Sequence, residues 1–323
     1  MRRREFLAGS FAAAGLGAPL PAQAQTLAKE VRLLSGFPPG GTSDLLCRYL
    51  ADGFKAFVSQ PVVVENKTGA SGFIAAEACA RAAPDGTTLF LAPMALMTIS
   101  PNMPGQVLPV HPQKDLTPIS NVGGVFNVLV AARHAPFRTV PELIAYAKAN
   151  PGKLTYASAG NGTSQHLAAE LFKSLAGVDI LHIPYRGGAP AIQDMVAGNT
   201  HMMFGNLPEF LGQMRGGNLI PVAFGGATAS SLYPDVPVMS RYLPAFQISN
   251  WFALAGPAGL SPQWVSFWND ALRKVAATPE FIKRMADNGM EILVGTPAEI
   301  KATIVADDKR WAEVIRAGGI KAD

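Results

Sequence analysis

Ser35-Gly36-Phe37-Pro38-Pro39-Gly40-Gly41-Thr42-Ser43-Asp44 and Ser158-Ala159-Gly160-Asn161-Gly162-Thr163-Ser164-Gln165-His166 are two glycine-rich turns in one chain. Each follows a run patterned as a β-strand, Val31–Phe37 for the first and Leu154–Ala157 for the second, and each opens into a helical pattern. Glycine lets backbone come close to a ligand, and a helix N-terminus offers unpaired N–H groups with a partial positive charge. Neither turn contains Lys or Arg. Two uncharged anion cradles that close on one small ligand point to a clamshell binder rather than an enzyme.

Outward from these turns the pattern alternates strand and helix. Strand 31–37, helix 42–58, strand 62–65, helix 72–82 and strand 87–92 precede a Pro-rich stretch at 101–118 and a long apolar run at 119–132. Thr139-Val140-Pro141-Glu142 is a capping box that starts a helix ending near Asn150-Pro151-Gly152. A second series follows: strand 153–158, helix 163–176, strand 180–185, helix 189–197, strand 201–205, helix 207–215 and strand 219–225. A second long apolar strand, 247–256, leads to Ser261-Pro262, a helix start, and to a last helix opened by the capping box Thr296-Pro297-Ala298-Glu299. Such alternation predicts parallel sheets with helices on both faces. The last segment is too short for a domain of its own and returns to the first one. The expected architecture is α/β in two lobes, 25–124 plus 246–323 and 125–245, with crossing strands near 122–130 and 245–252. Ligands of such sheets bind beyond the carboxyl ends of the strands, where both glycine turns sit.

The first 24 residues read as an export signal and stand outside the fold. Arg2-Arg3-Arg4 precede a short apolar stretch, Phe6–Leu20, and Ala22-Gln23-Ala24 is a small-x-small cleavage site. Arg3-Arg4-Glu5-Phe6-Leu7 fits a twin-arginine signal, with the general secretory route also open. The expected location is the periplasm, after cleavage near Ala24. Losing this segment takes three Arg and one Glu from totals of 27 and 23, leaving 24 basic and 22 acidic residues. That balance, without a basic run, argues against nucleic acid as a partner. The two cysteines, Cys47 and Cys79, lie inside helical patterns and read as small buried hydrophobes rather than a disulfide. No metal-ligand spacing and no cofactor motif is present.

Several chemistries fail on their residues. Gly36-Phe37-Pro38-Pro39-Gly40-Gly41 has phosphate-loop glycine spacing, but Thr42 stands where the lysine must be. Gln165 stands where a dinucleotide fingerprint needs its third glycine. Ala157-Ser158-Ala159-Gly160 is not a nucleophile elbow. Ser164, His166 and Asp194 could be drawn as a triad, but any chain of this size offers such trios, and His166 reads better as a capping or packing residue. Tyr185-Arg186-Gly187-Gly188 points at the cleft. Arg186 there either meets the ligand or pairs with a carboxylate such as Asp194. Asn206, at another strand end, is placed to bond a polar ligand group. Trp251 and Phe252 on the second crossing read as hinge packing.

These segments resemble the periplasmic substrate-binding proteins of tripartite tricarboxylate transporters, the Bug family. The resemblance runs through Phe37-Pro38-Pro39-Gly40-Gly41 with Asp44, Val64-Glu65-Asn66-Lys67, Pro84-Asp85-Gly86, Gly160-Asn161-Gly162-Thr163 with His166-Leu167, His182-Ile183-Pro184-Tyr185-Arg186-Gly187, Trp251-Phe252, Trp311 and Ala317-Gly318-Gly319-Ile320-Lys321. It implies a two-lobe periplasmic-binding-protein (Venus-flytrap) fold with two crossing strands, acting as a monomer. It implies capture of a small organic carboxylate and delivery to the integral membrane subunits of a permease, with no catalysis. Carried onto this chain, the contacts would be Phe37, Gly40, Gly41, Asp44, Pro93 and Met94 from one lobe. From the other they would be Gly160, Asn161, Gly162, Thr163, His166 and Tyr185, with Asn206 beside them. Gly205 departs from the usual Asp, Pro93–Met97 is more apolar than the family pattern, and Thr68 replaces a common Pro. The first two favour a ligand with an apolar or aromatic body and one or two carboxylates. Alternatives of another class are an exported hydrolase or lyase on this scaffold, with His166 as base, and a ligand-sensing subunit of a membrane signalling system.

Overall fold

Val31–Ser35 forms β1, with four of its five residues buried, as a strand between two neighbours must be. The computed structural model that shows it describes Leu27 and residues 29–321; the export segment lies outside the described residues. After β1 come α1 (Thr42–Phe54), β2 (Val62–Asn66), α2 (Phe73–Ala80), β3 (Thr88–Pro93), a π-helical turn at Ala95–Ile99, the single turn α3 (Pro112–Asp115) and β4 (Leu116–Val125). The chain then builds β5 (Asn127–Ala132), α4 (Val140–Ala149), β6 (Thr155–Ser158), α5 (Ser164–Ala176), β7 (Leu181–Pro184), α6 (Gly188–Val196), β8 (Met202–Asn206), α7 (Leu207–Arg215) and β9 (Leu219–Phe224). It returns through β10 (Asn250–Pro257), α8 (Pro262–Ala276), α9 (Pro279–Asp287), β11 (Met290–Ile292) and α10 (Pro297–Gly318).

Two sheets result. One has the order β11-β4-β10-β3-β1-β2, the other β7-β6-β8-β5-β9. The long apolar run at 119–132 is β4 and β5 in succession, with only Phe126 between them, so one extended segment belongs to both sheets. The sheets are mixed rather than wholly parallel, which corrects the expectation from alternation. β1 runs parallel to β2 and β3, and β6 parallel to β7 and β8. β10 runs antiparallel to β3 and β4, β11 antiparallel to β4, and β5 antiparallel to β8 and β9. The reason for β5 is geometric. β4 ends at the cleft, so its continuation enters the second sheet from the cleft side and opposes strands that run toward it. β10 makes the same entry in the other direction.

Local signals act where the sequence places them. Thr139/Glu142 and Thr296/Glu299 both form reciprocal capping boxes, and the Ser261 and Thr278 side chains cap α8 and α9. Helices α1, α8 and α9 cover one face of the first sheet. A second cluster runs without a break from α2 and α10 on the other face of that sheet to α4 and α5 on the second sheet. A third, under α6 and α7, closes the second lobe. Cys47 and Cys79 are both fully buried free thiols in different clusters, on opposite faces of the first sheet. Burial pushes the Cys79 thiol up to about 12, and Cys47 rises further, so neither offers a thiolate at neutral pH.

Candidate functional site

The carboxyl ends of β1, β3, β6 and β8 meet between the lobes around a cavity of about 40 Å³. Its lining combines apolar residues, Phe37, Pro38, Pro93, Ala95 and Phe252, with polar ones, Thr42, Ser43, Thr163, Ser164, Gln165, Asn206, Glu209 and Asn250. A groove of about 240 Å³ adjoins it and shares Phe37, Ser71 and Ala159 with it.

The first glycine turn is held by Asp44 from below. Its carboxylate accepts from the Gly40 N–H (3.0 Å), the Asn66 amide (2.9 Å) and Arg48 Nε (2.9 Å), while the Asn66 amide also bonds the Phe37 carbonyl. Burial works against the Asp44 charge, but Arg48, Gly40 and Asn66 outweigh it and hold the carboxyl below its ordinary range. Gly40 needs its positive φ of 86° to make the turn. Gly36 is required for a different reason: a Cβ there would lie 2.7 Å from Gly72 Cα, a backbone atom that cannot swing aside. The turn delivers α1 to the cleft with Gly41 at its N-cap, and no side-chain cap of its own.

The second turn spends its amides on itself. Ala159 N–H donates to Gln165 Oε1 (2.6 Å), Gly160 N–H to Ser158 Oγ (3.1 Å), Gly162 N–H to His166 Nδ1 (3.3 Å) and Thr163 N–H to the Gly160 carbonyl (3.4 Å). Thr163 Oγ1 caps α5 by accepting from His166 N–H. Two carbonyls of this turn face the other lobe. Ser71 Oγ donates to the Asn161 carbonyl (2.6 Å) and Ser100 Oγ to that of Gly162 (3.4 Å), so the lobes touch here.

Between the two turns sits Glu209, in the first turn of α7. Oε1 accepts from the Thr42 N–H (3.2 Å), the Thr42 hydroxyl (2.8 Å) and the Asn206 amide (3.4 Å), and Oε2 from the Gln165 amide (3.2 Å). Thr42 belongs to the first lobe; Glu209, Gln165 and Asn206 belong to the second. Asn250, on the returning strand, donates to Asn206 Oδ1 (2.9 Å) and Ser164 Oγ (3.2 Å), which aligns Asn206 toward Glu209. Burial pushes the Glu209 carboxyl above its ordinary range, against the pull of the Thr42, Asn206 and Gln165 donors. Sequence reasoning named Asn206 but passed over Thr42, Gln165 and Glu209. The only local signal for Glu209 was Leu207-Pro208-Glu209, a helix start with an acid in its first turn.

Of the residues singled out from sequence, Phe37, Gly41, Pro93, Thr163 and Asn206 line the cavity, and Gly160, Asn161 and Tyr185 line the adjoining groove. Gly40 and Asp44 shape the first turn. Met94 and His166 are fully buried, and His166 stacks on His182 with centroids 4.5 Å apart. Gly162 packs toward Gln106 and Ser100 of the first lobe. The Ser164, His166 and Asp194 trio has other bonds: Asp194 accepts from the Tyr185 hydroxyl and the Asn199 amide, and Ser164 Oγ accepts from Asn250. Burial, with the bond to Asp194 adding to it, pushes the Tyr185 phenol up to about 12. Arg186 is exposed at the rim of the groove. Trp251 Nε1 donates to Asp307 (2.7 Å) and ties the returning strand to α10, whereas Phe252 turns to the cavity. Among the described residues no group of three His, Cys, Asp or Glu could hold a metal ion, and no helix is long and apolar enough to cross a membrane.

Residues 46–320 match the model of the tripartite tricarboxylate transporter family receptor. The chain is 35% identical to protein BugT of Bordetella pertussis, over 96% of this chain and 95% of that one. Its structure superposes on R. palustris Rpa4515 with adipate at a TM-score of 0.88 and 28% identity, covering 91% of this chain and 98% of the other. It also superposes on MatC of Rhodopseudomonas palustris with bound malate, at a TM-score of 0.84 and 26% identity over 89% and 99% of the two chains.

Proposed function

The chain belongs to the tripartite tricarboxylate transporter receptor family, and we propose that it captures a small organic carboxylate between its lobes and delivers it to integral membrane permease subunits. The observation that carries this reading is the set of neutral donors from both lobes that converge on one carboxylate, that of Glu209, at the N-terminus of α1. A helix N-terminus plus side-chain amides and a hydroxyl gives a carboxylate matched donors without a cation and offsets part of the cost of burying it. Binding then needs no Lys or Arg, and release to a permease is not opposed by a buried ion pair. Adipate and malate in two solved relatives support the carboxylate class. The apolar walls at Phe37, Pro93, Ala95 and Phe252 favour a ligand body that is aliphatic or aromatic.

In this reading Phe37, Gly41, Pro93, Thr163 and Asn206 touch the ligand, with Thr42 and Gln165 added to the set. Gly40, Asp44, Met94, Gly160, Asn161, Gly162, His166 and Tyr185 hold the two turns and the groove beside them in shape. The lobes are 25–124 plus 246–323 and 125–245, and the exported monomer works in the periplasm after cleavage near Ala24. It binds and releases; it does no chemistry on its ligand.

The test is a thermal-shift screen of Gln25–Asp323 against aliphatic and aromatic mono- and dicarboxylates. A ligand at about 100 times its Kd should stabilise by about 2.7 kcal/mol, a melting shift of several degrees. No shift from any carboxylate, with no small molecule released on denaturation, would sink the reading. Recovery of two integral membrane proteins with the tagged chain from solubilised membranes tests the permease.

A further inference from the structure

Helix α1 reaches the cleft with glycine at its N-cap and no cap from its own segment. The acceptor it uses comes from 167 residues further along the chain, in the other lobe. All the donors around Glu209 are neutral: one backbone N–H, one hydroxyl and two side-chain amides. A buried carboxylate with no cation is tolerated only when its lone pairs are matched in this way. The neighbouring helix approaches the same carboxylate. A Cβ on Gly188, at the start of α6, would lie 2.5 Å from Glu209 Oε2, although the backbone there has no positive φ that would demand glycine.

A Glu side chain is chemically a tethered propionate. We propose that Glu209 is a built-in stand-in for the ligand's carboxylate: it clasps the lobes by occupying the donor set, and the ligand binds by displacing it. This rests on the carboxylate-capture reading above. Thr42 N–H, the Thr42 hydroxyl and the Asn206 amide are all turned to Oε1, so a second carboxylate finds these donors taken. The cavity beside these donors is only about 40 Å³, far below the roughly 300 Å³ at the lower end of ligand pockets, and the adjoining groove of about 240 Å³ is not lined by them. Displacement frees Thr42 N–H, Thr42 Oγ1, Gln165 Nε2 and Asn206 Nδ2 together. Because Glu209 is tethered, it competes at a high effective concentration, and the ligand's apparent affinity falls by the fraction of molecules whose donors are free. Glu209 thereby selects ligands that gain more from the rest of the cleft than a tethered carboxylate does.

The experiment compares wild-type Gln25–Asp323 with Glu209→Ala and Gly188→Ala by calorimetric titration with adipate and with malate, and by small-angle X-ray scattering without added ligand. Glu209→Ala should bind the carboxylate at least about tenfold more tightly and scatter with a larger radius of gyration, because the clasp is gone. Gly188→Ala, which crowds Oε2, should shift both readouts the same way by less. Unchanged or weaker binding by Glu209→Ala overturns the proposal, and weaker binding makes Glu209 a direct acceptor for a donor group on the ligand. Glu209→Gln, which keeps the size, guards against a folding artefact and should fall between wild type and alanine. If neither carboxylate binds any variant, the capture reading is decided by the full carboxylate panel above, and the scattering decides the clasp: expansion in Glu209→Ala upholds it and an unchanged radius rejects it.

Discussion

The two glycine turns look alike in sequence and behave differently in the fold. The first is braced from beneath by Asp44 and leaves the N-terminus of α1 to be capped from the other lobe. The second is braced by its own side chains: Ser158, Thr163, Gln165 and His166 take up its amides, and two of its carbonyls meet serines across the cleft. The first thus leaves the Thr42 N–H to an acceptor from the other lobe, and the second meets the first lobe with two of its carbonyls, a docking contact. Glycine content alone does not make a cradle. What matters is whether the amides it exposes are already spent.

The largest way to break this comparison is Gly162→Val. Gly162 has φ of 73°, and an added Cβ would lie 2.6 Å from Gln106 Oε1 of the other lobe. A β-branched residue there should cost about 3 kcal/mol, read as a clear drop in Tm even without ligand. A wild-type Tm would mean that the docking role is wrong.

Next comes Asp44→Asn, which should cost about 2 kcal/mol by loosening the first turn, measured by urea unfolding. Its pH signature is specific. Because the native Asp44 pKa lies below its unfolded value, its contribution is present above about pH 4 and is lost as pH falls through the native pKa. The variant should lose that part of the acid sensitivity. Superimposable acid-unfolding profiles for the two proteins would refute the brace.

Thr163→Ala removes the cap of α5 and should cost about 1 kcal/mol, visible as faster amide exchange in its first turn. Smallest is Ser71→Ala, which loses one hydroxyl-to-carbonyl bond between the lobes and should shift stability by less than about 1 kcal/mol. Its sharper readout is scattering: a slightly more open molecule, with the first turn's amide exchange untouched.

Much of the scaffold was legible. The strand–turn–helix units around residues 35–44 and 158–166, the capping boxes at Thr139 and Thr296, and the buried thiols Cys47 and Cys79 are all written in short stretches. The strand directions were only partly legible. Alternation reads as parallel, and nothing local in Asn127–Ala132 or Asn250–Pro257 says from which side a strand enters its sheet. Within the site, Asn206 stood out as a polar residue at a strand end, but Glu209 three residues later read as an ordinary first-turn acid. His166 reads from its own position as a packing residue, and it is fully buried and stacked on His182; Met94, a contact by the resemblance, is fully buried as well, a burial set by the packing of the lobe rather than by its local sequence.

The sequence by itself determined the elements, their caps and the two tight turns. Those depend on bonds between residues two to four apart and on backbone angles that only glycine takes easily. The tertiary structure alone decided that Glu209 would cap a helix 167 residues away, that the second turn would turn two of its carbonyls to the other lobe, and that the two thiols would lie on opposite faces of one sheet. Such partnerships form only when the crossing strands bring the two sheets to one cleft, where a buried donor or acceptor must take whichever partner packing sets beside it.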